Sequence, residues 1–100
     1  FTHTRCRQII TKAVAAVSEI HAAGVVHGDL KFDHFLVDYQ DQLYLIDFGL
    51  AVRPQAGQLF TYSLGTESYK APEVKRGRPY SPFAADIYAL GQSLRIILLK

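Results

Sequence analysis

Along the first quarter of the chain, apolar residues return at helical spacing. Ile10, Val14, Val17 and Ile20 are separated by four, three and three positions, which places them on one helix face. Alanines fill much of the remainder, and Gly24 offers a C-terminal stop, so a helix is expected over about residues 6–22. Val25 and Val26 form a short extended piece leading into His27. Phe35 to Val37 and Leu43 to Ile46 are β-type runs with Asp38, Gln40 and Asp41 between them as turn material, and an antiparallel hairpin over 35–46 accommodates them.

The pattern then breaks down. Residues 47–83 hold most of the glycines and all four prolines, a longer irregular stretch than compact domains usually carry without a functional reason. A final helix is expected over about 82–99, with Ser81 as cap and Pro82 in its first turn. Ile87, Tyr88, Leu90, Leu94, Ile96, Ile97, Leu98 and Leu99 leave that helix little polar face, which calls for burial nearly all round. Two helices about a small hairpin make the expected fold class α+β. No internal repeat or low-complexity linker interrupts it.

Composition narrows the classes of partner. With 49% apolar and 20% charged residues the 100-residue chain reads as globular, and a formal net charge of +2 is too small to imply nucleic acid. No run of about eighteen apolar residues is present to suggest a membrane span, and no secretory signal is visible, so a cytoplasmic or nuclear setting is the default expectation. The one cysteine, Cys6, has no Cys/His cluster beside it at zinc spacing and reads as structural or incidental. The absence of methionine, the start on Phe1 and the end on Lys100 suggest a portion of a longer protein.

Two acids stand where strand gives way to loop. Asp29 follows a β-type pair and a glycine, and Asp47 ends the hairpin just before Gly49. Two such carboxylates could hold a divalent ion or divide base and metal duties. Lys31 could bring positive charge to a transferring phosphoryl group. From spacing alone the plainer reading is favoured, because Asp is common at strand ends: both aspartates cap turns and Lys31 is solvated.

Motif content separates these readings. The chain has HGDLKFDH at 27–34, DFG at 47–49 and APE at 71–73, with GTESYKAPE at 65–73 and DIYALG at 86–91. In this order they resemble the catalytic loop, the Asp-Phe-Gly and Ala-Pro-Glu signatures and the central helix of protein kinases of the serine/threonine type. The resemblance covers nearly the whole chain. It implies the mainly helical C-terminal lobe of that fold, with a catalytic loop at 27–34 and an activation segment at 47–73. The N-terminal lobe, with its glycine-rich loop and ATP-anchoring lysine, would precede Phe1, and the 100 residues alone would be inactive.

The resemblance also implies roles. Asp29 would orient the substrate hydroxyl and accept its proton, Lys31 would contact the transferring phosphate, and Thr66 would bridge the two by hydrogen bonds. Asp47 would hold Mg2+ against the phosphates of ATP, Phe48 would pack, and Gly49 would supply backbone freedom. His27 would sit beneath the DFG segment, Asp86 would accept hydrogen bonds from the catalytic-loop backbone, and Glu73 would need a partner other than the family's distant arginine.

Two departures qualify this. Gly28 replaces the arginine that pairs with a phosphorylated activation segment in many kinases, which makes Thr61, Ser63 and Thr66 poorer switch sites. His34 stands where the family has an asparagine on the second magnesium, so His34 and Asp47 are the expected cofactor and metal residues, with an imidazole as a poor hard-metal ligand. The expected activity of the parent protein is transfer of the ATP γ-phosphoryl group to serine or threonine hydroxyls of a protein substrate. A pseudokinase binding or scaffolding module, supported by His34, and a small-molecule kinase, supported by Gly28, are the alternatives.

Overall fold

A computed structural model describes residues 2–99; the expected unit at 1–100 therefore extends to Phe1 and Lys100, which lie outside the described residues. Three helices and a two-stranded antiparallel sheet confirm the α+β class: α1 (His3–Ala22), β1 (Phe35–Val37), β2 (Leu43–Leu45), α2 (Pro72–Lys75) and α3 (Pro82–Leu99), with 3-10 turns at Phe32–His34 and Glu67–Tyr69.

α1 begins three residues earlier than its apolar periodicity suggests. Thr2 supplies the reason: its hydroxyl accepts the Arg5 N–H at 3.1 Å, satisfying a first-turn donor before any apolar residue appears. At the other end Val25 N–H returns to the Ile20 carbonyl and Gly24 N–H to that of His21, the paired bonds of a Schellman stop. The buried stripe is rotated from the expected one. Ile9, Ala13 and Val17 are buried, whereas Val14 is 42% exposed. Ala13, fully buried, lacks the bulk that would hold neighbouring elements apart, and α1 packs against α3 and β2 on that side.

The hairpin forms in the register Phe35 opposite Leu45, Leu36 opposite Tyr44 and Val37 opposite Leu43. Asp38 fixes its turn, with one carboxylate oxygen accepting the N–H groups of Gln40 and Gln42 at 2.9 Å each. Behind it lies the first core cluster, in which Ala13 and Val17 of α1 meet Leu30, Phe35, and Ala89 and Leu90 of α3.

Residues 47–83 are irregular but anchored. Val52 pairs with Val26 through two backbone bonds of 2.9 and 3.0 Å, and Phe60 pairs with Tyr80 through bonds of 2.8 and 3.0 Å. A second cluster of Phe60, Ala71, Val74 and Tyr80 fills the space beneath them. Ser81 caps α3 as expected, its hydroxyl accepting the Ala84 N–H at 3.3 Å. All-round burial of α3 is not met within the chain. Pro82, Asp86, Ala89, Leu90, Ser93 and Ile97 form a buried stripe, while Ile87, Leu98 and Leu99 are more than half exposed. No helix among the described residues is long and apolar enough to cross a membrane.

Candidate active site

The site is built on a loop that two buried side chains hold from below. Asp86, in the second turn of α3, accepts the His27 N–H at 2.9 Å and the Gly28 N–H at 3.1 Å. Its Oδ2 also meets His21 Nε2 at 2.8 Å. The carboxylate is only 3% exposed, so these donors replace the water it has lost. His27, wholly buried, accepts the Asp29 N–H at Nδ1 and therefore carries its proton on Nε2, which donates to the Ile46 carbonyl at 2.8 Å. The ring also meets Phe48 edge-on at 4.8 Å, which places it beneath the DFG segment; Phe48 itself stays 43% exposed.

Asp29 is aimed from the far side by Thr66, whose hydroxyl donates to Asp29 Oδ1 at 2.7 Å. Asp29 Oδ2 is left without a partner among the described residues. The expected Lys31 half of this bridge is not made: the Lys31 ammonium has no hydrogen bond or ion pair among the described residues. A threonine hydroxyl has one proton, and here Asp29 takes it; the hydroxyl lone pairs stay open to a lysine donor.

Gly28, not Gly49, is the glycine that the geometry requires. Gly28 has φ +88°, and a Cβ there would meet the Leu50 carbonyl oxygen at 2.5 Å. Gly65 (φ +101°) faces the Gly28 carbonyl at 3.0 Å from its own would-be Cβ. At Gly49 a Cβ would meet nothing nearer than 3.5 Å, an ordinary contact. The catalytic loop and the two ends of the activation segment thus approach backbone to backbone.

His34 and Asp47, the two residues expected at the metal, lie side by side. His34 Nδ1 lies 2.7 Å from the Asp29 carbonyl and Nε2 lies 3.2 Å from Asp47 Oδ2. The Asp29 carbonyl is a pure acceptor, so that contact is a hydrogen bond when Nδ1 carries the proton; the lone pair of a neutral ring then lies on Nε2, on the Asp47 side. Asp47 is different: its side chain is 60% exposed, it is a hard oxygen donor, and its φ of +64° turns the chain sharply where the hairpin ends. A magnesium ion therefore fits Asp47 as a hard oxygen ligand, whereas the imidazole of His34 is a poorer one for that metal. Among the described residues no group of three or more acidic, His or Cys side chains is placed to hold a metal by itself.

Three contributions were not expected from sequence. His21 shares Asp86, and the only hint is its place in the last turn of α1. Tyr69 Oη accepts the Phe32 N–H at 3.3 Å, and Lys70 reaches Ser63; neither contact has a sequence signal, since both join residues through the fold. The Glu73 carboxylate makes no ion pair among the described residues.

Comparison with known proteins gives the family. The family described as protein kinase domain matches residues 1–100. The chain is 40% identical over 92 residues to the serine/threonine-protein kinase GIN4 of Saccharomyces cerevisiae, covering 92% of this chain and 8% of that protein. It is 42% identical over 93 residues to CBL-interacting serine/threonine-protein kinase 24 of Arabidopsis thaliana, covering 92% of this chain and 21% of the relative. It is 41% identical over 101 residues to CBL-interacting protein kinase 16 of Oryza sativa subsp. japonica, covering 97% and 22%. The chain belongs to the protein kinase domain family, and it spans less than a quarter of the length of these relatives.

Proposed function

We propose that the protein carrying this chain transfers the γ-phosphoryl group of ATP to serine or threonine hydroxyls of a protein substrate. The observation that carries this reading is the 2.7 Å bond from Thr66 to Asp29 Oδ1, which leaves Oδ2 without a partner among the described residues and available as the acceptor for a substrate hydroxyl. As the substrate oxygen bonds to the γ-phosphorus and the bond to the bridging oxygen breaks, ADP leaves and the hydroxyl proton passes to Asp29. Lys31, uncommitted to any other group among the described residues, is available to the phosphoryl oxygens. A magnesium ion, when bound, neutralises phosphate charge, and Asp47 is the side chain that would hold it. That the yeast and Arabidopsis relatives bear serine/threonine-protein kinase names supports a protein hydroxyl over a small-molecule acceptor.

A second reading, a kinase-shaped binding module, is favoured by His34, whose imidazole stands beside Asp47 and is a poor ligand for a hard metal. Phosphoryl transfer by the full-length protein with magnesium or manganese separates the two. Asp29→Asn is expected to lower turnover about 10³-fold, within the range for a lost catalytic base. Equal rates for wild type and Asp29→Asn would leave only the binding module. A gain of rate on His34→Asn would identify that residue as the brake on turnover.

A further inference from the structure

His34 and Asp47 point two electron-rich atoms at each other. The Asp29 carbonyl accepts the proton of His34 Nδ1 at 2.7 Å, so in the neutral ring the lone pair sits on Nε2. That nitrogen lies 3.2 Å from Asp47 Oδ2. A lone pair and a carboxylate oxygen at this separation need something positive between them, a proton or a metal ion.

The surroundings favour the metal ion. A histidine that binds a metal characteristically donates its other ring N–H to a carbonyl or carboxylate, which fixes the tautomer and frees the second nitrogen; His34 makes that bond to Asp29. Two donors each about 2.1 Å from one ion and at right angles stand about 3.0 Å apart, close to the 3.2 Å found here. The imidazole is 8% exposed and held in place, whereas Asp47 is 60% exposed, so an ion can reach the pair from solvent on the carboxylate side. The nearby ring of His27 does not compete, because its Nδ1 accepts the Asp29 N–H and its Nε2 donates to the Ile46 carbonyl.

We infer that His34 Nε2 and Asp47 Oδ2 form a mixed nitrogen–oxygen site that takes manganese(II) in preference to magnesium. This deepens the phosphoryl-transfer reading and rests on it for the remaining ligands, which would be ATP phosphate oxygens and water. No third His, Cys, Asp or Glu side chain among the described residues is placed to join the pair. Magnesium demands hard oxygen donors and binds imidazole poorly. Manganese(II) accepts an imidazole nitrogen and keeps the affinity for carboxylate and phosphate oxygen that such a site requires.

The test uses the full-length protein labelled with histidine carrying the heavy nitrogen isotope, manganese(II) chloride, and the β,γ-methylene analogue of ATP, whose bridging carbon adds no nitrogen. Pulsed EPR is expected to show coupling of the bound ion to the labelled nitrogen, absent in His34→Asn and His34→Gln. Displacement of manganese by magnesium chloride measures the preference, which is expected to fall about tenfold in both variants. The wild-type coupling is read without any variant having to fold. Manganese that binds with no such coupling, or fails to bind with or without the analogue, would overturn the site and leave a proton between the two residues. So would a preference unchanged in both variants. Coupling without turnover would keep the metal site and sink the transfer reading, whereas turnover with magnesium and no coupling would do the reverse.

Discussion

At the scale of single residues, the site depends on what two positions lack. Gly28 and Gly65 have no Cβ, and the catalytic loop and activation segment use that space to meet through their backbones. Gly28→Ala places a methyl group 2.5 Å from the Leu50 carbonyl at a positive φ, so the variant is expected to lose at least about 1–3 kcal/mol of stability, measured by chemical denaturation of the full-length protein. An unchanged midpoint would mean that the loop does not pack this way. The sequence made the substitution at position 28 visible as a missing arginine, but not its steric meaning, because Leu50 approaches only once the chain has folded. His34 is parallel: its identity was legible as a departure, whereas its two neighbours, the Asp29 carbonyl and the Asp47 carboxylate, were not.

At the scale of elements, the irregular segment owes its placement to pairs across the fold. Tyr80 illustrates this, pairing its backbone with Phe60 and donating its hydroxyl to the Tyr62 carbonyl at 2.8 Å. Burial, with the Tyr62 phenol adding to it, pushes the Tyr80 phenol above its ordinary value. The folded state then holds that proton more tightly than the unfolded chain. Its stabilising contribution is complete below the ordinary tyrosine value of about 10 and is lost as pH rises through the folded value. Thermal melts between about pH 8 and 11 are therefore expected to fall more steeply for wild type than for Tyr80→Phe; equal slopes would show that the phenol is not buried in solution. Element type was readable for α1, the hairpin and α3, each of which carries a clear period, but not for the short α2, which lies in the stretch expected to be irregular. The facing side was not always readable. On α1 the interspersed alanines allow more than one stripe, and packing against α3 and β2 selected Ile9, Ala13 and Val17.

At the scale of the whole molecule, two clusters clamp one loop. The first joins α1, the hairpin and α3 around Leu30, and the second carries the activation segment around Phe60 and Val74. Between them Asp86 grips the loop backbone and Thr66 holds the Asp29 carboxylate. The motifs made the members of this arrangement legible, since Asp29, Asp47, Thr66 and Asp86 stand at family positions. The side-chain partners added by folding, His21 and Lys70, were silent because a sequence does not display pairs brought together by tertiary packing. The central claim, that Thr66 acts through Asp29 in phosphoryl transfer, is tested most directly by a double-mutant cycle on turnover of the full-length protein. Thr66→Ala is expected to slow the wild type about 10- to 100-fold and to have almost no further effect in an Asp29→Asn background. Equal losses in both backgrounds would contradict the account.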